Sequence, residues 1–179
     1  MDNDQGGKID LRPYSEGDFL LLEQLLGDPV MTEYLGGPES PDKLRQRHDR
    51  FVAENSGKGP IRIFVITAGP ENVAVGSIAY WEREWQGRTV WETGWSVLPR
   101  FQGQGIATKA LQLMRNRVQG ERKHRFIHAF PSIDNGPSNA LCRKAGFTLQ
   151  KENEFEYPPG HFMRCNDWCL ELFSSEVKE

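Results

Sequence analysis

Between Ile61 and Leu98 the chain carries three apolar runs, IRIFVITA, VAVGSIAYWE and TVWETGWSVL, parted by the short turn signals GPEN and WQGR. β-Branched and aromatic residues at this density, punctuated by Gly, Pro and Asn, read as three strands of an antiparallel meander. Such a sheet must bury its apolar faces, so the flanking segments have to supply helices. The meander runs straight into RFQGQGIATKAL, residues 100–111, where Arg100, Gln102 and Gln104 alternate with Phe101, Gly103 and Gly105. A helical apolar pattern then begins at Ile106. Two glycines one residue apart at the mouth of a helix leave backbone N–H groups uncovered, and the helix end adds partial positive charge; together these hold phosphate.

The other segments complete an alternating order. KIDLRPY reads as a first strand, and SEGDFLLLEQLL as a helix with Ser15 and Asp18 at capping-box spacing. DPVMTEYL reads as a short helix stopped by Gly36, Gly37 and Pro38. SPDKLRQRHDRFVAENSGKG is a further helix, with Ser40 as cap, Pro41 in the first turn, Leu44, His48, Phe51 and Val52 on one side and Gly57 as stop. After the glycines, IATKALQLMRNRVQ buries Ile106, Ala110, Leu113, Met114 and Val118. RFIHAF is a strand, NGPSNALCRKAG a short helix ended by Gly146, and FTLQKENEFEY with HFMRCNDWCLELF a long hairpin about PPG. The expected fold is α+β: a mixed, mostly antiparallel central sheet of about seven strands with helices on both faces. Residues 1–179 make one domain, with 1–7 flexible.

Composition excludes several functions. A formal net charge of -3 gives no electrostatic case for nucleic acid and leaves a faint hint of a cationic or amine substrate. No apolar run approaches the ~18 residues of a membrane span, and MDNDQGGK lacks the layout of a signal peptide. Cys142, Cys165 and Cys169 make an odd count, which points to reduced thiols and a cytoplasmic home. Cys165 and Cys169 are too far apart for CxxC and the four histidines form no ligand pair with them, so no metal is expected.

Two phosphate loops fail on this sequence. A Walker loop needs GK[ST] where the chain has GIATK. A dinucleotide fingerprint needs Gly or Ala where Thr108 stands, and a parallel βαβ unit before it. An ordinary tight turn remains open as a reading. A second feature bears on the choice: Asn135, Ser138, Asn139 and Cys142 fall at i, i+3, i+4 and i+7, one helical stripe of neutral polar groups suited to the amides of a ligand. Leu141, Ala145 and Phe147 are left for the core.

These two segments together resemble the GNAT acetyltransferase superfamily. Its Q/R-x-x-G-x-G/A signature is matched by Arg100, Gly103 and Gly105, with Ala107 at the next small position. Its N-x-x-S-x-x-x-x-x-K-x-G-F segment is matched by Asn135, Ser138, Lys144, Gly146 and Phe147. The opening RP…D and the region GDPVMTEYLGGP resemble the branch that acetylates ribosomal-protein N-termini. The resemblance implies acetyl-coenzyme A in a splay between the fourth and fifth strands, TVWETGWSVL and RFIHAF. It implies pantetheine paired with the backbone of Val97 and Leu98, and pyrophosphate on the N–H groups of Gln102, Gly103, Gln104, Gly105, Ile106 and Ala107. Asn135 and Ser138 would touch the pantetheine arm, and Lys109 and Arg143 would either lie near the phosphates or be merely solvated.

The implied reaction is direct attack of a primary amine on the thioester, which needs a base and an acid for the departing thiolate. Glu92, on the same strand face as Gly94 and Ser96, is the candidate base. Its competing reading is a strand glutamate paired with a neighbouring Arg, and Glu154 is the rival base. Many family members carry a tyrosine acid where this chain has Cys142; the resemblance to the ribosomal-protein branch gives that role to Ser138, with Cys142 a bystander, while Cys142 as the acid, or as a nucleophile that takes the acetyl group, stays open. The acceptor stays open among a protein N-terminus, a polyamine, an aminoglycoside-like molecule and another small amine. Trp81, Trp85, Trp91 and Trp95 either wall its pocket or pack in the core. No nucleic acid or membrane partner is expected, and the protein is a monomer or homodimer. The other class of function is an acyl-coenzyme A-binding regulatory module without amine chemistry.

Overall fold

The meander forms as expected: β2 (Ile61–Ala68), β3 (Val73–Trp85) and β4 (Arg88–Val97) pair antiparallel in sequence order. β2 is buried on both sides, which is why its sequence is a continuous apolar run and not an alternating one. Ile63 and Val65 pack with Leu21, Leu22, Leu25 and Leu44, whereas Phe64 and Ile66 join the cluster of Ala110, Leu111, Met114 and Val118. The helices therefore cover both faces. The computed structural model describes residues 7–55, 59–157 and 159–174, so the expected flexibility of 1–7, apart from Gly7, and the stop at Gly57 lie outside the described residues.

The remaining elements are β1 (Ile9–Pro13), α1 (Phe19–Leu26), α2 (Pro41–Asn55), α3 (Ile106–Glu121), β5 (Phe126–Ala129), α4 (Gly136–Lys144), β6 (Thr148–Glu156) and β7 (Phe162–Glu171). One seven-stranded sheet results, in the order β1-β2-β3-β4-β5-β7-β6. Every neighbouring pair is antiparallel except β4 with β5, which is parallel. Among the described residues no helix is long and apolar enough to cross a membrane.

Three local expectations change. Residues 28–35 form successive turns and not a helix. Asp28 Oδ1 accepts from the N–H groups of Val30 and Met31 (2.8 and 3.0 Å), and Thr32 O is shared by Leu35 and Gly37. Gly36 and Gly37, both at positive φ, end the segment before a helical ladder can propagate. The stretch 15–26 divides into a 3₁₀ turn, Glu16–Asp18, and α1. Asp18 holds the junction, accepting from Ser15 N (2.8 Å) and from both terminal nitrogens of Arg12 (2.8 and 2.6 Å). On α3, Leu111 is buried and Leu113 only partly so.

Candidate active site

The loop between β4 and α3 is built as an opening. Pro99–Phe101 makes one 3₁₀ turn, and Gly103 and Gly105 follow at φ +72° and +77°. Side-chain-bearing residues rarely adopt that region. A Cβ at either glycine would meet nothing within 4 Å, so the glycines serve the backbone course and keep the space in front of it clear. The first bond into α3 runs from Lys109 N to Gly105 O (3.1 Å). Among the described residues, the N–H groups of Gly103, Gln104, Gly105, Ile106, Ala107 and Thr108 have no internal acceptor. Gln102 differs from its expected part: its N–H goes to Pro99 O (3.1 Å) and its side-chain amide to Val97 O (2.8 Å).

Beside this loop the sheet parts. β4 and β5 pair only at Trp91 with Ile127 and Glu92 with His128. Beyond His128 the chain stays with β7 through Ala129 opposite Trp168, Asn166 N to Pro131 O (2.9 Å) and Ile133 N to Arg164 O (3.0 Å). β4 meanwhile follows β3 to its end at Val97. Leu98 has both backbone groups engaged, its N–H with Val75 O and its carbonyl with Phe101 N (both 2.9 Å). The strand alternation therefore turns Thr93, Trp95 and Val97 toward the gap, and Val97 offers its N–H there because Gln102 already holds its carbonyl.

α4 faces the same gap with its first turn. Asn135 is the N-cap, its Oδ1 accepting from Ser138 N (3.1 Å). The polar stripe expected along α4 divides. Asn135 and Ser138 line the cavity. Asn139 is buried and fully engaged: it donates to Ser132 O and Asn135 O (both 2.8 Å) and accepts from Asn166 (2.7 Å) and Trp168 Nε1 (2.8 Å). Cys142 is completely buried in the main core, where burial pushes its thiol up to about 12. The side chain of Trp168 fills the sheet surface below α4 and claims the second half of the stripe.

The cavity between β4, β5 and α4 has a volume of about 470 Å³, and Trp81, Glu92, Gly94, Trp95, Asn135 and Ser138 are among its walls. Glu92, with a side chain 14 % exposed, takes Arg83 Nη1 at 2.6 Å. Burial raises its carboxyl above the ordinary value, opposed by Arg83, by a bond from Trp81 and by His128. The competing reading of Glu92 as an Arg-paired strand residue is thus realised, but inside the cavity. Arg83 lies over Phe130 and Phe155 (both 4.8 Å) and Trp85 (5.2 Å). Glu154 is exposed, and its neighbour Phe155 is the residue that lines the cavity. Of the tryptophans, Trp81 and Trp95 wall the cavity, Trp91 is core, and Trp85 donates to Asp167 Oδ2 (3.0 Å).

Sequence reasoning passed over Arg83 and the buried pair of His128 Nδ1 with Asp167 Oδ1 (2.6 Å). The alternation Trp81, Arg83, Trp85 marks one face of β3, but only the register with β4 shows that this face meets Glu92. Among the described residues no group of His, Cys, Asp and Glu is arranged to hold a metal.

Known proteins share this architecture. A 50S ribosomal-protein acetyltransferase from Salmonella typhimurium, which modifies an N-terminal serine, superposes with TM-score 0.74 at 22% identity, covering 91% of this chain and 94% of that one. Spermidine N-acetyltransferase from Vibrio cholerae, solved with CoA and spermine, gives TM-score 0.75 at 17% identity over 92% and 95% of the two chains. An aminoglycoside acetyltransferase in complex with coenzyme A gives 0.72 at 16% identity over 92% and 95%. No curated protein sequence matches the chain. The model of the acetyltransferase (GNAT) domain matches residues 8–148. With the uncovered amide loop, the parted strands and this match together, the chain belongs to the GNAT acetyltransferase family.

Proposed function

We propose that the protein transfers the acetyl group of acetyl-coenzyme A directly to a primary amine, with Glu92 as base and Ser138 as acid. The observation that carries this reading is the position of Glu92: a buried carboxylate with a raised pKa in the wall of a cavity that opens onto the splay between β4 and β5. The free N–H groups from Gly103 to Ala107 suit the pyrophosphate, since anions are favoured at a helix N-terminus. The unpaired edge of β4 at Val97 suits a pantetheine amide, which would pair like an added strand. Asn135, whose Oδ1 is spent on its own helix, has its amide nitrogen left to donate to that arm.

The amine nitrogen attacks the thioester carbon, and its proton passes to Glu92, directly or through a water. An N–H on the gap side of β4 stabilises the oxyanion. The carbon–sulfur bond breaks, and the thiolate takes a proton from Ser138 Oγ, which solvent restores. The raised carboxyl serves the base, because a proton acceptor works best with a pKa moved toward the working pH. The pairing with Arg83 favours a second reading, an acyl-coenzyme A-binding module in which Glu92 is neutralised and no amine reacts. A panel of amines incubated with acetyl-coenzyme A, read by release of free thiol, separates the two. The acetyltransferase gives amine-dependent thiol, and the module gives cofactor binding without it.

A further inference from the structure

The cavity at Glu92 continues outward past the tryptophans. Its far wall holds Tyr34, Leu35, Arg47, Arg50 and Tyr157. Leu35, Arg47, Arg50 and Tyr157 also wall a second cavity, of about 550 Å³, bounded by α2, the turns of 28–39 and the tip of the β6–β7 hairpin. The two spaces share these side chains and so lie next to one another, together lining an outer groove beyond the carboxylate.

α2 lines that groove with Lys43, Arg47 and Arg50, which fall at i, i+4 and i+7 and so share one helix face. Of the acidic side chains of the groove, Glu92 and Glu39 are each paired with an arginine, Glu92 with Arg83 and Glu39 with Arg47 through Nε (3.0 Å) and Nη2. The exposed Glu156 accepts at Oε1 from the backbone N–H of Gly160 (2.7 Å). The cations are not matched in the same way. Lys43 is exposed and makes no ion pair among the described residues. Arg50, with a side chain 53% exposed, has a 3.8 Å contact of its Nε with the mostly buried Glu54 and lies over the Phe51 ring (5.6 Å), with no ion pair to its terminal nitrogens among the described residues. The outer groove thus presents free positive donors on a chain whose net charge is -3.

We infer that the acceptor is an extended peptide N-terminus that carries Asp or Glu among the residues just after its reactive amine, with those carboxylates lying against Lys43 and Arg50. This rests on the acetyltransferase reading and names its substrate class. The seven steps from Lys43 to Arg50 span about 10 Å of α2, the length of about three residues of extended chain. A polyamine or aminoglycoside would bring its remaining ammonium groups against the same cations, and like charges brought together at an interface suppress binding. Net charge alone left a faint hint of a cationic or amine substrate; the charges along α2 favour an amine that also carries carboxylates.

The test uses the full chain, acetyl-coenzyme A and eight-residue peptides that share one N-terminal residue and differ at the next four positions: acidic, serine or lysine. Spermidine and a free amino acid complete the panel, read by thiol release. The acidic peptide should exceed the lysine peptide by about tenfold in kcat/KM, mostly through KM, and the ratio should shrink in high salt because exposed charges are screened. In the double variant Lys43→Glu, Arg50→Glu the ratio should fall to one or invert; taken within one protein, it is insensitive to partial loss of fold. Equal use of the peptides, or preference for lysine or spermidine, overturns this inference while the acetyltransferase reading stands. Preference for the free amino acid over every peptide overturns the peptide assignment. Absence of amine-dependent thiol release with every member of the panel, while coenzyme A still binds, removes both.

Discussion

Glu92 stands between two opposed influences. Burial disfavours its charge, and Arg83 at 2.6 Å favours it, with burial the larger. The base works only when ionised, so kcat/KM should rise with pH through a value above the ordinary 4.5 of a glutamate. Glu92→Gln should abolish that limb and lower kcat by about 100- to 10,000-fold, with coenzyme A affinity kept. Glu154→Gln should stay near wild type; the opposite result would move the base to the hairpin. The proton donor can be separated in the same way. Ser138 lines the cavity, whereas Cys142 is sealed in the core with a thiol pushed up to about 12. Ser138→Ala should therefore cost more activity than Cys142→Ala, whose loss should be a few-fold in rate, beside about 1 kcal/mol in stability from lost packing. Mass spectrometry that traps acetyl on Cys142, with Cys142→Ala inactive, would replace direct transfer by a covalent route.

At the scale of elements, the junction of β4 and α3 is the part on which the proposed cofactor binding rests. Gly105 combines a left-handed backbone with empty space where a side chain would stand. Gly105→Val should cost about 1–2 kcal/mol in stability from the backbone alone. Its larger effect should be on coenzyme A, because the added methyls occupy the space before the free N–H groups. Calorimetry giving wild-type affinity in a folded Gly105→Val protein would show that the phosphate does not bind there. α4 works at the same scale by division of labour. Its first turn faces the gap, and the buried side chain of Asn139 ties the helix to β7 through Asn166 and Trp168.

For the whole molecule, the splay is a place where the sheet is unfinished. β4 and β5 share two pairs of residues and then part, leaving backbone groups that a ligand can complete. A ligand that binds only the folded state at 100 times its Kd adds about 2.7 kcal/mol. For a chain of this size each kcal/mol moves Tm by about 2–4 °C, so saturating coenzyme A should raise Tm by about 5–10 °C. Thermal unfolding with and without coenzyme A measures this, and a Tm that does not move would count against the splay as its site. The cavity at Glu92 and the outer groove beyond it are likewise a property of the whole, since α2, the hairpin tip and β3 to β5 all contribute walls.

Local pattern determined much of this protein. The apolar runs from Ile61 to Leu98, the glycines at 103 and 105 and the spacing of Asn135 and Ser138 specify their strands, turn and helix cap by steric and hydrogen-bonding preferences within a few residues. That Gly36 and Gly37 end the segment was legible, but not that Asp28 and Thr32 would spend their groups on isolated turns in place of a helix. Tertiary structure alone decided what each face meets. Asn139 and Cys142 share a stripe with Ser138, yet packing against Trp168 and the core takes them away from the cavity. Leu98 lost its expected part to Val75, and Arg83 gained one, because strand register sets which backbone groups and cross-strand neighbours meet. Lys43 and Arg50 drew no reading from the sequence, and only the fold brings them to the walls of the outer groove beyond Glu92. Register and inter-element distance are sums over long-range contacts, which no window of sequence contains.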